Sequence, residues 1–140
     1  MPYIHLQRLW TDSDEMLQLE VRASNDAQVG RQDFYVYPEA LAGFGRKLMG
    51  FPKTVDDAVT IEYGAEPNYY CYFRLSAVVL NSRGHSALEI EFDNRLAPPS
   101  KAECHFFMPC EPATANSFGK NLLDWSNNME EPLHYEWKNA

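Results

Sequence analysis

The stretch from Met16 to Ser24 carries the clearest rhythm in the chain. Leu17, Leu19, Val21 and Ala23 alternate there with Gln18, Glu20, Arg22 and Ser24. A period of two is what an extended strand with one buried face requires. Ahead of it, Ile4, Leu6 and Trp10 fall on one side of an earlier strand, and the polar run from Thr11 to Glu15 turns the chain. A third strand follows in RQDFYVYP, ended by Pro38. Pro38 also opens a helix, because its fixed φ suits a first helical turn. Leu41, Phe44 and Leu48 then lie at i, i+3 and i+7, on one helical face. Gly50 and Pro52 close the helix, and Gly43 and Gly45 within it make it weak by propensity, so packing must hold it.

The second half repeats the theme. After a short connecting strand, VTIEYG, the residues Cys71, Phe73, Leu75, Ala77 and Val79 face one way, while Tyr70, Tyr72, Arg74 and Ser76 face the other. Asn81 to Gly84 makes a hairpin turn. Leu88, Ile90 and Phe92 point inward from the next strand, and Ala102, Cys104, Phe106 and Met108 from the one after it. Pro112 opens a second helix with Ala115, Phe118, Leu122 and Trp125 on one face. In the polar tail, the alternation of Leu133, Tyr135 and Trp137 suits an edge strand or a cover over the sheet.

Two short segments read almost alike, FGRKL from Phe44 and FGKNL from Phe118. Placing Pro38 on Pro112 aligns them without gaps, with Arg46 meeting Lys120. The alignment predicts a degenerate β-β-β-α internal repeat. The expected fold is α+β, an antiparallel sheet of about six to seven strands with two helices packed on one face. Each glycine after the anchoring Phe would let its helix approach the sheet closely. The expected organisation is a single domain over 1–140, with halves of about 1–52 and 53–126 and a polar tail over 127–140.

Composition narrows the function. Twenty Asp and Glu against twelve Lys and Arg give a net charge of -8, and 45% of residues are hydrophobic, enough for a packed core. No basic stripe is visible along the chain, so nucleic acid is not an expected partner. The longest apolar run, Leu75 to Leu80, is too short to cross a bilayer, and the start lacks the pattern of an export signal. Three cysteines, Cys71, Cys104 and Cys110, outside any CxxC pair fit reduced thiols in a cytoplasmic setting.

No nucleotide-binding, zinc-protease or serine-hydrolase motif is present. Cys104 and His105 are adjacent, but neighbours on a strand point to opposite faces. No catalytic residue, metal ligand or cofactor is therefore assigned. One constellation stands out. Pairing Asp93 with Lys101 would set Glu91 opposite Glu103 and Glu89 opposite His105, while Arg74 would lie beside Glu91 and Ser76 beside Glu89. Tyr70, Tyr72 and Phe107 would rim this outward patch.

Such a patch could be a self-satisfied solvated face, a docking surface or a divalent-cation site. The expected function is a small acidic, non-enzymatic, protein-binding module, immunity-protein-like in that it neutralises or escorts a basic partner. Tyr70, Tyr72, Arg74, Glu89, Glu91, Glu103, His105 and Phe107 would form its partner-binding surface. The alternatives are a metal-assisted enzyme using Glu89, Glu91, Glu103 and His105, and a self-associating structural protein, a homo-oligomer built through an exposed sheet edge.

Overall fold

The computed structural model describes residues 1–138. Asn139 and Ala140, the end of the expected polar tail, lie outside the described residues. Eight strands and two helices follow the order β1 (Tyr3–Thr11), β2 (Leu17–Ser24), β3 (Val29–Val36), α1 (Pro38–Met49), β4 (Ala58–Tyr63), β5 (Tyr72–Val79), β6 (Ser86–Asp93), β7 (Glu103–Cys110), α2 (Pro112–Asn127) and β8 (Leu133–Glu136). They form two antiparallel four-stranded sheets, ordered β3-β2-β1-β8 and β4-β5-β6-β7.

The expected single sheet of six to seven strands is therefore corrected to two sheets in an α+β fold. The reason lies in where the strand after each helix goes. β4 leaves α1 and pairs with β5, while β8 leaves α2 and returns to pair with β1. The first sheet thus contains three strands consecutive in sequence and one, β8, delivered from the far end of the chain, whereas the second is built from four consecutive strands. β3 does not extend the second sheet but lies across it. Phe34 stacks on Phe73 with ring centroids 4.2 Å apart, Gln32 Nε2 donates to Tyr72 O at 2.7 Å, and the Cys71 thiol donates to Asp33 O at 3.3 Å. A Cβ at Gly30 would lie 2.5 Å from the Phe92 ring, so only glycine lets β3 sit this close to β6.

The alternating patterns hold in burial for most positions, but Trp10 and Ala102 are exposed while Glu20, Ser24 and Ser76 are buried. Leu17, Leu19, Val21 and Ala23 are buried, as are Phe73, Leu75, Ala77, Leu88, Ile90 and Phe92, and one hydrophobic cluster joins both sheets to both helices. The helices bury Leu41, Phe44 and Leu48 from α1 and Ala115, Phe118, Leu122 and Trp125 from α2.

The duplicated FG motif has a different purpose from the one expected. Gly45 and Gly119 face each other rather than a sheet. A Cβ on Gly119 would fall 2.6 Å from Gly45 O and one on Gly45 would fall 2.8 Å from Gly119 O. The two glycines let the helices cross at backbone contact. Asn116 of α2 then donates its Nδ2 to Leu48 O and Phe51 O at 2.8 and 2.7 Å, tying α2 to the last turn of α1 and the segment that follows it. Tyr35 packs on Tyr63, centroids 5.5 Å apart.

Candidate nucleic-acid interface

The two sheets turn opposite chemistry outward. On the second sheet, β5 and β6 pair as expected, with Arg74 opposite Glu91 and Ser76 opposite Glu89. The β6–β7 register is two residues from the expected one: Asp93 faces Glu103, Glu91 faces His105 and Glu89 faces Phe107. Asn94 fixes this register by pairing its own N–H with Ala102 O and accepting the Ala102 N–H on its side chain. A slip of two preserves which face each residue takes, so Glu89, Glu91, Glu103, His105 and Phe107 still share one surface with Arg74 and Tyr72. Tyr70 does not join them. It stands 81% exposed in the loop before β5.

Within that surface the charges are already committed. Glu89 Oε2 takes Arg74 NH2 at 3.1 Å and His105 Nε2 at 2.5 Å. Burial pushes the Glu89 carboxyl up, but hydrogen bonds from Arg74 and His105 outweigh it and leave it below the usual carboxylate range. Tyr72 donates to Glu62 at 2.5 Å, and burial together with that bond raises its hydroxyl to about 12. Arg74 also lies 3.9 Å from Glu91 Oε2, and Lys101 takes Glu103 at 2.5 Å. Among the described residues, no three His, Cys, Asp or Glu side chains gather to hold a metal ion.

The first sheet carries what sequence reading missed. Its register places His5 opposite both His134 and Arg22, and Arg22 opposite Arg31. One row therefore crosses all four strands in the order His134, His5, Arg22, Arg31. Arg31 is 60% exposed and Arg22 47% exposed. Between them, nearly buried Glu20 accepts Arg22 Nε at 2.8 Å and Arg31 NH2 at 2.6 Å. Burial raises the Glu20 carboxyl, and the two arginine bonds overcome it, holding Glu20 ionised and the arginines upright. At the far end, His5 and His134 share one Nδ1–H across 3.0 Å, and His134 Nε2 meets Glu136 Oε1 at 2.8 Å. Desolvation, His134 and Arg22 together lower the pKa of His5.

The Arg31 end of this row opens into a groove of about 510 Å³ where β3 crosses the second sheet. Arg31, Asp33 and Tyr35 of β3 form one wall, and Tyr70 and Cys71 are among the residues opposite. Tyr35, Tyr63 and Tyr69 run on from it in tilted contacts of 5.5 and 5.4 Å. No linear motif announces this site. Its two arginines and two histidines are separated by up to 129 residues in sequence, and only strand pairing assembles them. The recoverable signal was parity, since Arg22 and Arg31 fall on the outward phase of their strands.

Fold and site together define an α+β protein of two crossed sheets with a cationic row on one of them. No protein-family model and no curated protein matches the chain. Among solved structures it is similar to the plant transcriptional regulator PBF-2, at 9% identity and a TM-score of 0.50, covering 92% of this chain and 78% of that one. A second similar structure is WHY3 from Arabidopsis thaliana, at 8% identity and a TM-score of 0.49, with 92% and 83% covered.

These findings correct the expected function. The fold is one found in a regulator of transcription, which overturns the immunity-protein-like module binding a basic protein partner. The exclusion of nucleic acid is corrected too. It rested on the lack of a basic stripe along the sequence, whereas the cross-strand register brings Arg22 and Arg31 into one row with His5 and His134. Among the described residues, no helix is long and apolar enough to cross a membrane.

Proposed function

We propose that this protein binds single-stranded nucleic acid on the outward face of the β3-β2-β1-β8 sheet. Phosphates would lie along His134, His5, Arg22 and Arg31, and unstacked bases would rest on the tyrosines of the adjoining groove. The observation that carries the reading is the alignment of four cationic or protonatable side chains in one cross-strand row of an otherwise acidic protein. The net charge of -8 repels polyanions at long range, but screening confines that effect to roughly 8 Å at physiological salt, so the local row dominates at contact. The likeness in fold to a transcriptional regulator supports the same reading.

Single strands suit this surface better than duplex. Reading a duplex by its major groove needs a basic helix or ribbon that enters it. Here α1 and α2 give their apolar faces to the core, and α2 has no basic residue in its last turn. A broad sheet face with arginines and tyrosines instead offers planar groups on which unpaired bases stack. A cytoplasmic location is compatible with this function but not required by it. The free thiols Cys71, Cys104 and Cys110 suit any reducing compartment.

Fluorescence anisotropy with a labelled mixed-sequence single strand, titrated at several salt concentrations, tests the proposal. Wild type should bind single strand more tightly than duplex. Arg22→Gln with Arg31→Gln should weaken binding by at least about tenfold and flatten the slope of log K against log salt by roughly 1.4, since each lost single-strand phosphate contact removes about 0.7. Unaltered affinity and slope in the double variant, or no binding by wild type at low salt, would overturn it.

A further inference from the structure

Asp33, which lines the groove beside β3, carries one polar atom that no group among the described residues satisfies. Asp33 Oδ1 is buried with no hydrogen-bond partner, while Oδ2 accepts only Gln18 Nε2, at 3.2 Å. The side-chain amides of the groove, Asn94 and Gln32, are engaged. Asn94 donates to Ser100 O and accepts from the N–H groups of Leu96 and Ala102, and Gln32 donates to Tyr72 O. A buried acceptor left unpaired costs free energy that a donor on a ligand would recover.

We infer that this groove is a subsite for one unstacked nucleobase bearing an exocyclic amino group, and that Asp33 selects it. The inference rests on the binding function proposed above and names its specificity. The amino groups of cytosine, adenine and guanine donate to a carboxylate, as Asp and Glu do in accepting from cytosine N4. Thymine and uracil offer only N3–H, set between two carbonyl oxygens that repel a carboxylate. The carboxyl torsion of Asp33 is soft, so one oxygen can turn to the base while the other keeps Gln18. Tyr35 and Tyr70 supply ring faces on the groove wall, and Arg31 stands at the same wall for the flanking phosphate.

The test is anisotropy titration of wild type with labelled oligo(dC) and oligo(dT) of equal length at pH 7.5. Wild type should favour oligo(dC) on the order of tenfold, the scale of one hydrogen bond to a charged acceptor. Asp33→Asn, whose amide also donates, should bring the two affinities to within about twofold of each other. Tyr70→Ala should weaken both alike and leave the ratio intact. Equal affinity of wild type for the two strands overturns the subsite while leaving single-strand binding standing. So does a preference that survives Asp33→Asn in a protein with native circular dichroism. Failure of wild type to bind either strand overturns the binding function and the subsite together. The wild-type comparison decides the matter even if the variant does not fold.

Discussion

Three glycines sit in or beside the duplicated motif, and their surroundings set opposite expectations. Around Gly43 a Cβ would meet nothing within 4 Å, whereas at Gly119 it would press into Gly45 O and Leu48 Cβ, both at 2.6 Å. Backbone cannot yield as a flexible side chain does, so Gly119→Ala must push α1 and α2 apart. We expect it to cost about 1–3 kcal/mol, the range for overpacking a close-packed contact. Gly43→Ala carries no such penalty and gains helix propensity, so it should stabilise by about 0.5–1 kcal/mol. Urea denaturation of both variants checks the pair, and a destabilising Gly43→Ala would contradict the helix geometry. The sequence marked both motif glycines as special through their repetition. It did not show that each exists for the other, because a helix-to-helix contact leaves no periodic trace in either helix alone.

At the scale of the element, strand parity was legible and strand partnership was not. Alternation put Leu88, Ile90, Phe106 and Met108 inside and Glu89, Glu91 and His105 outside, and the structure agrees. The β6–β7 register was missed by two because the cap made by Asn94 leaves no mark in hydrophobic pattern. The cationic row was missed for a deeper reason. It depends on β8 returning to β1, a pairing between chain ends that parity cannot foresee. That pairing also gives the row a pH dependence. His5 on β1 faces His134 from β8, which is held in turn by Glu136, and Arg22 and Glu20 from β2. Its folded pKa lies below the ordinary 6.5 through desolvation, His134 and Arg22, with Glu20 opposing them. The unfolded chain therefore takes up a proton first as pH falls past about 6.5, and the folded state loses stability there. Above that pH the term vanishes. The lowered carboxyls of Glu20 and Glu89 favour folding above their ordinary 4.5, and that stability is lost only at lower pH, in a separate window. Tm should fall between pH 7.5 and 5.5, and fall less in His5→Gln. A nearby phosphate reverses the preference by favouring imidazolium, so single-strand affinity should rise over the same interval in wild type and stay flatter in His5→Gln. A flat wild-type profile in both measurements would remove His5 from the row.

For the whole molecule, the consequence of β8 returning to β1 and of β4 preceding β5 in the second sheet is interdependence. Cut in the loop that joins β4 to β5, the first sheet loses β8 and the second loses β4. The cut also separates Phe34 from Phe73, Gly45 from Gly119, and Asn116 from Leu48 O and Phe51 O. Each fragment would keep a three-stranded meander whose inner face, Leu19, Val21 and Phe34 in one and Leu75, Leu88 and Ile90 in the other, is now uncovered. Pieces of that length already lie near the limit at which a core offsets chain entropy. We therefore propose that residues 1–140 fold as one cooperative domain whose halves are not independently stable. Fragments spanning 1–66 and 67–140, made separately, should each lack cooperative thermal unfolding by circular dichroism. Mixed together, they should regain it, since β4, β8 and the glycine crossing supply the contacts that neither has alone. A first fragment that melts cooperatively by itself would show that β8 and α2 are dispensable to its sheet. The cationic row would then have to function without His134.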